Sequence, residues 1–410
     1  MSEDDTMHVV YVGYPGFPLG LAQVERQKLI AKGLISRGCQ VTVLNRYGIH
    51  EKGEAADVLE QPSFEGIPFV YTSGSPYREN AFIKRNLFKI KGLVNEVRYL
   101  ISSRKNNKLD AILVTTNTFY DVLFYCLVAK LCKVPAILDN VEYWTAHPIR
   151  KSIFKRLDNY LYDQYAFKVA TKVICISSFL VDVVKRNDPL KPVIKIPAIV
   201  DFSKFGHARE ATEPYFLFCG SAAYLETINF ILDAYNQLEQ TRYKLYLVTS
   251  GTDADEERVK ASIEHSKYKD GIRFFSRLSY DQLLKLYTNS SALLIPLRDT
   301  KQDRARFPHK IGEYCAAKQV IISTGYGEIN HYFTDKQNAL IANTYSVPEY
   351  AEKMHEVIEN PGLATVLGQR SYQTGQSHFS HEISGKKIIE FIAPSFAEAK
   401  YNYGELLCDT

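Results

Sequence analysis

The sequence lacks the features that mark several classes of protein. Its seven cysteines are scattered and form no CxxC pair, so we predict neither a disulfide nor a metal site. No apolar run approaches the roughly 20 residues that a membrane-spanning helix needs, and the acidic start Met1–Asp5 lacks the basic and apolar segments of a signal peptide. The net charge of +4 gives no support for nucleic-acid binding. We therefore expect a cytoplasmic protein that binds no nucleic acid.

What the chain does contain is enough apolar sequence for two domains. Its 410 residues exceed one ordinary doubly wound domain, and its composition, 46% hydrophobic and 23% charged, is that of a globular protein. Short β-branched runs alternate with longer helical stretches from end to end, which indicates parallel sheets built of βαβ units. We predict an α/β fold of two Rossmann-like, doubly wound domains that face each other across a cleft.

The predicted strands fall into two series. The first series comprises Val9–Val12, Val41–Leu44, Ala111–Thr115, Ala136–Asp139, Val173–Ile176 and Val193–Ile196. The second comprises Phe216–Cys219, Leu245–Thr249, Ile272–Phe275, Ala292–Ile295 and Val320–Ser323. The polar stretch Asp201–Pro214 between them has the composition of a linker. We predict an N-terminal domain at 1–205, a C-terminal domain at 206–385, and a final helix and tail at 386–410 that is a candidate for crossing back to the N-terminal domain.

Ligands of open parallel sheets bind beyond the carboxyl ends of the strands, so the residues after each strand are the first candidates for a site. The loop after the first strand contains Gly13, Gly16 and Gly20, and Gly16 is a candidate for close backbone approach to an anion. The loop lacks GxGxxG spacing, and Pro15 and Pro18 remove amide donors, which argues against a dinucleotide loop. An ordinary strand-to-helix turn is the equal alternative.

A second candidate segment follows the fourth predicted strand and contains Asp139, Glu142, Trp144 and His147. Carboxylates there suit hydrogen bonds to sugar hydroxyls or removal of a proton from an acceptor, and His147 suits donation to a phosphate or hydroxyl. The alternative places Trp144 in the core and His147 at the surface. We favour function for the two carboxylates, because carboxylates are seldom fully buried without a partner. Ser177, after the next strand, is expected to cap a helix.

Small residues end the first strand of the second series. At Gly220 and Ser221 a diphosphate can lie against backbone amides, and the alternative is a tight turn that needs only Gly220. The last strand of this series leads into Gly325 and Glu328, where Glu328 suits a contact to the sugar or base of a nucleotide ligand.

The segment richest in charge is Arg298–Tyr314, which leads into a helix. Its candidate ligand residues are Arg304, Arg306, Phe307, Pro308, Lys310 and Glu313. Arginines and a lysine at a helix N-terminus neutralise a pyrophosphate, and a glutamate one turn inside can accept both ribose hydroxyls. A solvated charge run is the usual alternative, and the interspersed aromatic residues weaken it.

Four segments together resemble the retaining glycosyltransferases of the GT-B type, family 4 or group 1, over most of the chain. Residues 31–44 are similar to the family's first helix and second strand, residues 139–144 to its ExxDxW segment, and residues 195–201 to its IPNGVD signature. The most specific similarity is that of residues 307–321, FPHKIGEYCAAKQVI, to the donor-binding form FPxKxxEYxAxGKPVI.

The resemblance implies a hexosyl or other glycosyltransferase (EC 2.4) that acts with retention and without a metal. Glu313 would hold the ribose of a nucleotide-diphosphate-sugar donor, and residues 307–310 would lie against the pyrophosphate and sugar. The donor is then a co-substrate, and no other cofactor is implied. The expected acceptor is a glycan or a lipid-linked molecule of surface polysaccharide or glycolipid assembly.

Three positions depart from the family pattern. The family's arginine and lysine after the first strand of the C-terminal domain fall at Ser221 and Glu226, so Arg304, Arg306 and Lys310 are the candidate cations. The first glutamate of the ExxxxxxxE pattern falls at Ala305, and the asparagine-glycine of IPNGVD reads as residues 198–199, Ala-Ile. These departures leave open a divergent donor pocket or an inactive relative that binds a sugar nucleotide. A nucleotide-sugar epimerase is a further alternative, because it shares the two-Rossmann architecture and also needs a nucleotide diphosphate site in the second domain.

Residues 84–108 form a predicted basic amphipathic helix, with eight Lys or Arg and one acidic residue, Glu96. Its apolar stripe comprises Leu87, Ile90, Val94, Val97 and Ile101. We prefer the interpretation in which this stripe packs on the sheet. In the alternative, the basic face docks on an anionic membrane surface, which would place the protein peripherally on the inner face of the cell membrane. The neighbouring basic residues Arg150, Lys151, Lys155 and Arg156 would extend that face.

Overall fold

The computed structural model describes residues 6–147, 152–206, 210, 213–238 and 242–393. The chain forms two compact units. The first contains the residues up to Ile199 together with those from His381 onward, and the second contains Val200–Ser380. The predicted domain boundaries, after residues 205 and 385, lie a few positions later in the chain and stay predictions.

The first unit is built on an eight-stranded sheet. Its strands are β1 (His8–Val12), β2 (Gln40–Asn45), β3 (Ser63–Phe64), β4 (Ile67–Tyr71), β5 (Ala111–Val114), β6 (Ala136–Asn140), β7 (Lys172–Cys175) and β8 (Val193–Lys195). They lie in the order β3-β4-β2-β1-β5-β6-β7-β8, and all neighbours are parallel except β3 and β4. The chain therefore winds outward in both directions from β1, which is the doubly wound topology.

Helices cover both faces of this sheet. They are α1 (Ala22–Ile35), α2 (Ala56–Leu59), α3 (Phe82–Lys105), α4 (Phe119–Cys132), α5 (Ile153–Val169) and α6 (Ser178–Asn187). Val9 and Tyr11 of β1 share a core with α1, whereas Val10 and Val12 share another with α3 and α4. This alternation follows from the period of two along a strand, which sends successive side chains to opposite faces.

The predicted packing of the α3 stripe is only half right. Val97 and Ile101 pack against the core, but Leu87, Ile90 and Val94 are exposed. The preferred interpretation, a stripe that packs on the sheet along its length, is therefore wrong for the first half of the helix. The reason is length, because 24 residues of helix extend about 36 Å, whereas a strand of five residues extends about 17 Å.

The second unit is built on a six-stranded parallel sheet. Its strands are β9 (Tyr215–Ser221), β10 (Lys244–Ser250), β11 (Ile272–Phe275), β12 (Ala292–Ile295), β13 (Val320–Thr324) and β14 (Leu340–Ala342), in the order β11-β10-β9-β12-β13-β14. Its helices are α7 (Leu225–Asn236), α8 (Asp253–Glu264), α9 (Tyr280–Asn289), α10 (Lys301–Ala305), α11 (Lys310–Ala316), α12 (Ile329–Tyr332), α13 (Val347–Glu359) and α14 (Pro361–His378). The prediction of two Rossmann-like α/β domains is confirmed.

The last helix, α15 (His381–Ile392), belongs to the first unit and packs against α1. Gly33 of α1 and Gly385 of α15 lie backbone to backbone, so that a Cβ on either residue would overlap the other chain segment. Lys172 Nζ donates to the carbonyl of Phe391 at 2.5 Å and to that of Ile392 at 3.1 Å. A cation thereby satisfies the last carbonyls of the helix. Residues 394–410 of the predicted tail lie outside the described residues.

The six described cysteines are free thiols, and all but Cys126 are buried. Burial raises the pKa of the Cys315 thiol to about 12, which keeps it protonated at neutral pH. A protonated, buried thiol is a small apolar side chain rather than a nucleophile. Cys408 lies outside the described residues.

We predict that Gly385→Val lowers the stability of the first unit by about 1–3 kcal/mol, because the new side chain must separate α15 from α1. Trp144 is the only tryptophan and is buried in this unit, so its fluorescence in a urea titration reports the unfolding of the unit. The control is Lys387→Val at an exposed position of the same helix, which we expect to change stability by at most about 0.5 kcal/mol. Equal midpoints for the two variants would show that the close approach contributes nothing.

Candidate functional site

The loop after β1 is closed by a side chain at the end of β2. Asn45 Oδ1 accepts hydrogen bonds from the N–H groups of Gly16 at 3.0 Å and Phe17 at 3.1 Å, and its Nδ2 donates to the Phe17 carbonyl at 3.0 Å. Gly16 has φ of 113°, a conformation that glycine adopts readily. The Gly16 amide, predicted to face an anion, thus already has a partner inside the protein. The geometry favours the alternative of a structural turn.

Asp139 lies at the end of β6 with a side chain that is 0% exposed. Arg26 of α1 binds both of its carboxylate oxygens, with Nε at 3.0 Å from Oδ2 and Nη2 at 2.9 Å from Oδ1. The same guanidinium donates to the carbonyls of Ile196 at 3.0 Å and Pro197 at 2.7 Å. A base that removes a proton from a bound acceptor must reach that acceptor. These contacts therefore favour a structural role for Asp139 over the predicted catalytic one.

Glu142, Trp144 and His147 lie in the segment after β6, which ends in a short 3₁₀ turn at Trp144–Ala146. Glu142 and His147 are half-buried, and Trp144 is buried against Tyr162, with ring centroids 6.2 Å apart. The interpretation of Trp144 as a core residue therefore agrees with the structure. Glu142 and His147 remain candidates for contact with an acceptor.

Two side chains of helix α5 hold this segment in place through hydrogen bonds. Asp163 accepts from the N–H of Trp144 at 3.0 Å, the N–H of Thr145 at 2.8 Å and the Thr145 hydroxyl at 2.7 Å. Asn159 Nδ2 donates to the Trp144 carbonyl at 3.1 Å. Burial raises the pKa of Asp163, and these three donors act in the opposite direction. Asp163 and Asn159 are positioning residues that sequence reasoning missed, because nothing local marks them as partners of a segment 15 to 19 residues away.

In the second unit, the end of β9 and the start of α11 form one cluster. The Cys219 N–H donates to the Tyr314 hydroxyl at 3.2 Å. The charges of Lys310 and Glu313 both act on the pKa of the Cys219 thiol. Burial raises the pKa of this thiol, and the Lys310 ammonium acts to lower it. Gly220 and Ser221, the next two residues, are half-buried. The structure therefore brings Gly220, Ser221, Lys310 and Glu313 to the same edge of the sheet.

Glu313 is held by a tyrosine from α9. The Tyr280 hydroxyl donates to Glu313 Oε1 at 3.1 Å, and Lys204 Nζ lies 5.7 Å from the Tyr280 ring centroid. Glu313 is half-buried, so its carboxylate is oriented without being sealed off from solvent. Tyr280 was not predicted, because a tyrosine at the first position of a helix carries no signal by itself.

The predicted arginine ligands are engaged by carboxylates of their own segment. Buried Asp303 accepts from Arg298 Nε at 3.0 Å and from Arg306 Nη2 at 2.5 Å, and Arg304 forms an ion pair with Asp299. The two pairs with Asp303 show an ordered, partly buried network, whereas the pair of Arg304 with Asp299 is exposed to solvent. Lys310, in contrast, forms no ion pair with any part of the chain that the structure describes. It is the cation of this segment best placed for an anionic ligand.

The remaining candidates divide by burial. Phe307 is 1% exposed and stacks on Tyr332 at a centroid distance of 5.6 Å, so its side chain is part of the core, whereas Pro308 is half-buried. Gly325 donates from its N–H to the Ala342 carbonyl at 2.8 Å. Glu328 is buried at the start of α12. Glu328 contributes to the packing of the unit, and its predicted contact with a donor stays a prediction.

Comparison with known proteins places this cluster in a family. Residues 200–374 match the family described as glycosyl transferases group 1. These residues form a group 1 glycosyltransferase domain. The predicted group 1 relationship and glycosyltransferase class are thereby confirmed for this domain, whereas retention and membership of family 4 stay predictions. An uncharacterised glycosyltransferase of Methanocaldococcus jannaschii is 23% identical over 252 residues, which are 59% of this chain and 65% of that relative.

Solved structures share the fold along nearly the whole chain. A glycosyltransferase from Rickettsia africae has a TM-score of 0.68 at 16% identity, with 94% of this chain and 98% of that chain covered. Sucrose-phosphate synthase from Thermosynechococcus elongatus has a TM-score of 0.71 at 13% identity, with 99% and 100% covered. HepE from Anabaena, solved in complex with UDP-glucose, has a TM-score of 0.67 at 12% identity, with 95% and 100% covered. The chain therefore has the predicted GT-B fold.

We predict that Asp139→Asn destabilises the first unit by about 3–5 kcal/mol, because it leaves the buried Arg26 guanidinium without its counter-charge. The measurement is again urea unfolding followed by Trp144 fluorescence. Glu390→Gln, which breaks an exposed ion pair with Lys386 in the same unit, is the control and should cost at most about 1 kcal/mol. A variant Asp139→Asn that unfolds like the parent but transfers no sugar would contradict the structural role and favour the catalytic one.

Proposed function

We propose that the protein transfers a sugar from a nucleotide-diphosphate-sugar to an acceptor hydroxyl, with the donor bound by the second unit. The observation that carries this proposal is the family match over residues 200–374, which includes Lys310 and Glu313 on adjacent turns of α11. Support comes from HepE of Anabaena, which has the same fold and was solved with UDP and with UDP-glucose.

In this proposal Glu313 accepts hydrogen bonds from the ribose hydroxyls of the donor, and Tyr280 keeps its carboxylate in position. Lys310 neutralises the diphosphate, whose charge grows as the bond to the anomeric carbon breaks. A lysine that takes this role removes the need for a metal ion, so we propose metal-independent transfer. We also propose retention of configuration, which rests on the family resemblance.

The first unit supplies the acceptor side of the proposal. Glu142 and His147 are the half-buried groups of the segment after β6, and either can orient an acceptor hydroxyl or take its proton. Asp139 is excluded from direct contact in this scheme because Arg26 occupies both of its oxygens.

We predict that Glu313→Gln weakens the binding of the nucleotide donor about tenfold to hundredfold, because it removes a charged acceptor of hydrogen bonds. Tyr280→Phe should have a smaller effect, at most about tenfold, because the carboxylate remains. The measurement is thermal stabilisation by UDP, GDP, ADP and their sugar conjugates, which rises with the ratio of ligand concentration to Kd.

The control for this experiment is Glu352→Gln, an exposed glutamate on α13 of the same unit. It should respond to nucleotides like the parent. If no nucleotide stabilises the parent protein, the transferase proposal loses its main support. If nucleotides stabilise Glu313→Gln as well as the parent, the donor site lies elsewhere.

We further propose that the outer surface of the first unit docks on an anionic membrane, as expected for an enzyme of glycolipid or surface-polysaccharide assembly. Within the described residues, no helix has both the length and the apolar content to cross a bilayer. Three neighbouring helices instead expose apolar stripes at helical spacing. The stripes are Ile83, Leu87, Ile90 and Val94 on α3, Tyr120, Leu123, Leu127 and Leu131 on α4, and Ile153, Phe154, Leu157 and Tyr160 on α5.

The charge of this surface fits an anionic lipid. The only acidic residue of α3, Glu96, is buried and pairs with Arg46 at 2.9 Å, so α3 presents basic and apolar side chains to solvent. Burial raises the pKa of Glu96 above its usual value, and the neighbouring Arg46 guanidinium offsets only part of that rise. Each basic residue near an anionic surface contributes about 1 kcal/mol to binding. Lys155 and Arg156 lie on α5, whereas Arg150 and Lys151 lie outside the described residues.

We predict that Ile83→Ser lowers partitioning onto anionic vesicles about tenfold, because an exposed isoleucine inserts its side chain into the lipid interface. Ile83 is 74% exposed, so the change should leave folding intact. Leu190→Ser is the matched control, since Leu190 is 92% exposed and lies outside the three stripes. Cosedimentation with vesicles, with and without anionic lipid, measures the effect. The proposed surface would be contradicted if the parent protein binds neutral vesicles as strongly as anionic ones. It would also be contradicted if Ile83→Ser and Leu190→Ser lose the same amount of vesicle binding.

A further inference from the structure

The first unit contains a cavity of about 360 Å³ at the start of α3. Aromatic and basic side chains line it, chiefly Tyr47, Tyr77, Arg78, Arg85, Phe88 and Lys89. The sequence predicts residues 84–108 as a candidate face for an anionic membrane and indicates no small-molecule site there.

The cavity is a built part of the fold. It lies between the segments that follow β2 and β4, two neighbouring parallel strands, and so beyond their carboxyl ends, where ligands of such sheets bind. The two segments pair through a bridge between His50 and Tyr77, and the Arg78 N–H donates to the His50 carbonyl at 2.8 Å. Gly48 allows this contact, because a Cβ there would overlap the backbone of Pro76.

The cavity carries excess positive charge. Within the described residues, no carboxylate forms an ion pair with Arg78, Arg85 or Lys89. The one carboxylate of the lining, Glu79, lies 3.6 Å from Lys84 Nζ, which is itself outside the lining. Two arginines and a lysine around one cavity match a phosphate or diphosphate, which offers several oxygen acceptors and a compensating charge.

An apolar surface adjoins the cavity. Phe82 and Ile83 are 71% and 74% exposed in the first turn of α3, and Leu87 and Ile90 continue the stripe beside Arg85 and Lys89. Ile49, another lining residue, is also exposed. A ligand that joins an anionic group to a hydrocarbon chain would therefore satisfy both the cavity and the stripe.

We propose that this cavity binds the phosphate or diphosphate group of an amphiphilic, lipid-linked acceptor, whose hydrocarbon chain lies along the exposed stripe of α3. This inference rests on the proposed function, because it names the chemical class of the molecule that receives the sugar. The ring centroid of Tyr47 lies 4.8 Å from Lys89 Nζ, and this ring forms part of the cavity wall. Arg78, Arg85 and Lys89 bind the anionic group.

The test is calorimetric titration of the full chain with farnesyl diphosphate, inorganic pyrophosphate and farnesol, each below its aggregation concentration. The inference expects farnesyl diphosphate to bind at least about tenfold more tightly than pyrophosphate, which lacks the chain, and than farnesol, which lacks the charge. Pyrophosphate binding as tightly as farnesyl diphosphate would overturn the assignment to a lipid-linked ligand and indicate a site for free phosphate compounds.

Variants separate this cavity from the donor site. Arg85→Gln should weaken farnesyl diphosphate about tenfold or more and leave stabilisation by nucleotides unchanged, whereas Lys310→Met should do the reverse. Arg98→Gln, an exposed arginine of the same helix outside the lining, is the matched control and should bind like the parent.

The failures of the two proposals are distinguishable. The inference would be overturned, and the transferase proposal would stand, if nucleotides bind normally but farnesyl diphosphate does not bind. The same holds if nucleotides bind normally and Arg85→Gln binds farnesyl diphosphate as tightly as the parent. Absent nucleotide binding with Arg85-dependent binding of farnesyl diphosphate would overturn the transferase proposal and support the cavity as a site for an anionic amphiphile.

Discussion

The first unit depends on one buried ion pair, that of Arg26 and Asp139. All three nitrogens of the guanidinium donate hydrogen bonds, to the Asp139 carboxylate and to the carbonyls of Ile196 and Pro197. Removing a charge from water costs several kcal/mol, so the pair is tolerated because each nitrogen of the guanidinium has a hydrogen-bond acceptor. The pair joins α1, strand β6 and the chain just beyond β8. The segment with Glu142 and His147 follows this anchor in the chain, and Asp163 and Asn159 of α5 hold it in position.

The second unit uses the same chemistry in a different place. Asp303 is buried and receives Arg298 and Arg306, so a segment that the sequence presents as a run of charge becomes a rigid support. Its effect is selective, because it neutralises the arginines while leaving Lys310 at the start of α11. A nucleotide diphosphate can be neutralised only by cations that are not already paired with carboxylates of the protein. Because Ser221 and Glu226 replace the two cations of the family pattern, a Lys310 that forms no ion pair within the described residues matters more in this chain.

The two surfaces of α3 explain why a single pattern supported two interpretations. The second half of the helix packs Val97 and Ile101 on the sheet, as a globular fold requires, while the first half projects past the strands and leaves Leu87 and Ile90 in solvent. A hydrophobic period of three and four residues indicates which side of a helix is apolar but not what covers it. The overhang is set by the lengths of the helix and of the strands, and it creates both the exposed stripe and one wall of the basic cavity.

The sequence by itself determined the parallel strands, because continuous β-branched runs are local, and it determined the helix cap at Ser177, whose hydroxyl accepts from the Leu180 N–H three residues away. It also indicated the group 1 family of residues 200–374, through the contiguous segment 307–321. It did not reveal β4, which alternates buried and exposed residues, or β14, which has only three residues. Tertiary structure alone decided which charges are available. The partner of Asp139 lies 113 residues away, and that of Glu313 lies 33 residues away on another helix. Pairing between distant residues depends on the packing of helices and strands in three dimensions, and no local pattern records it.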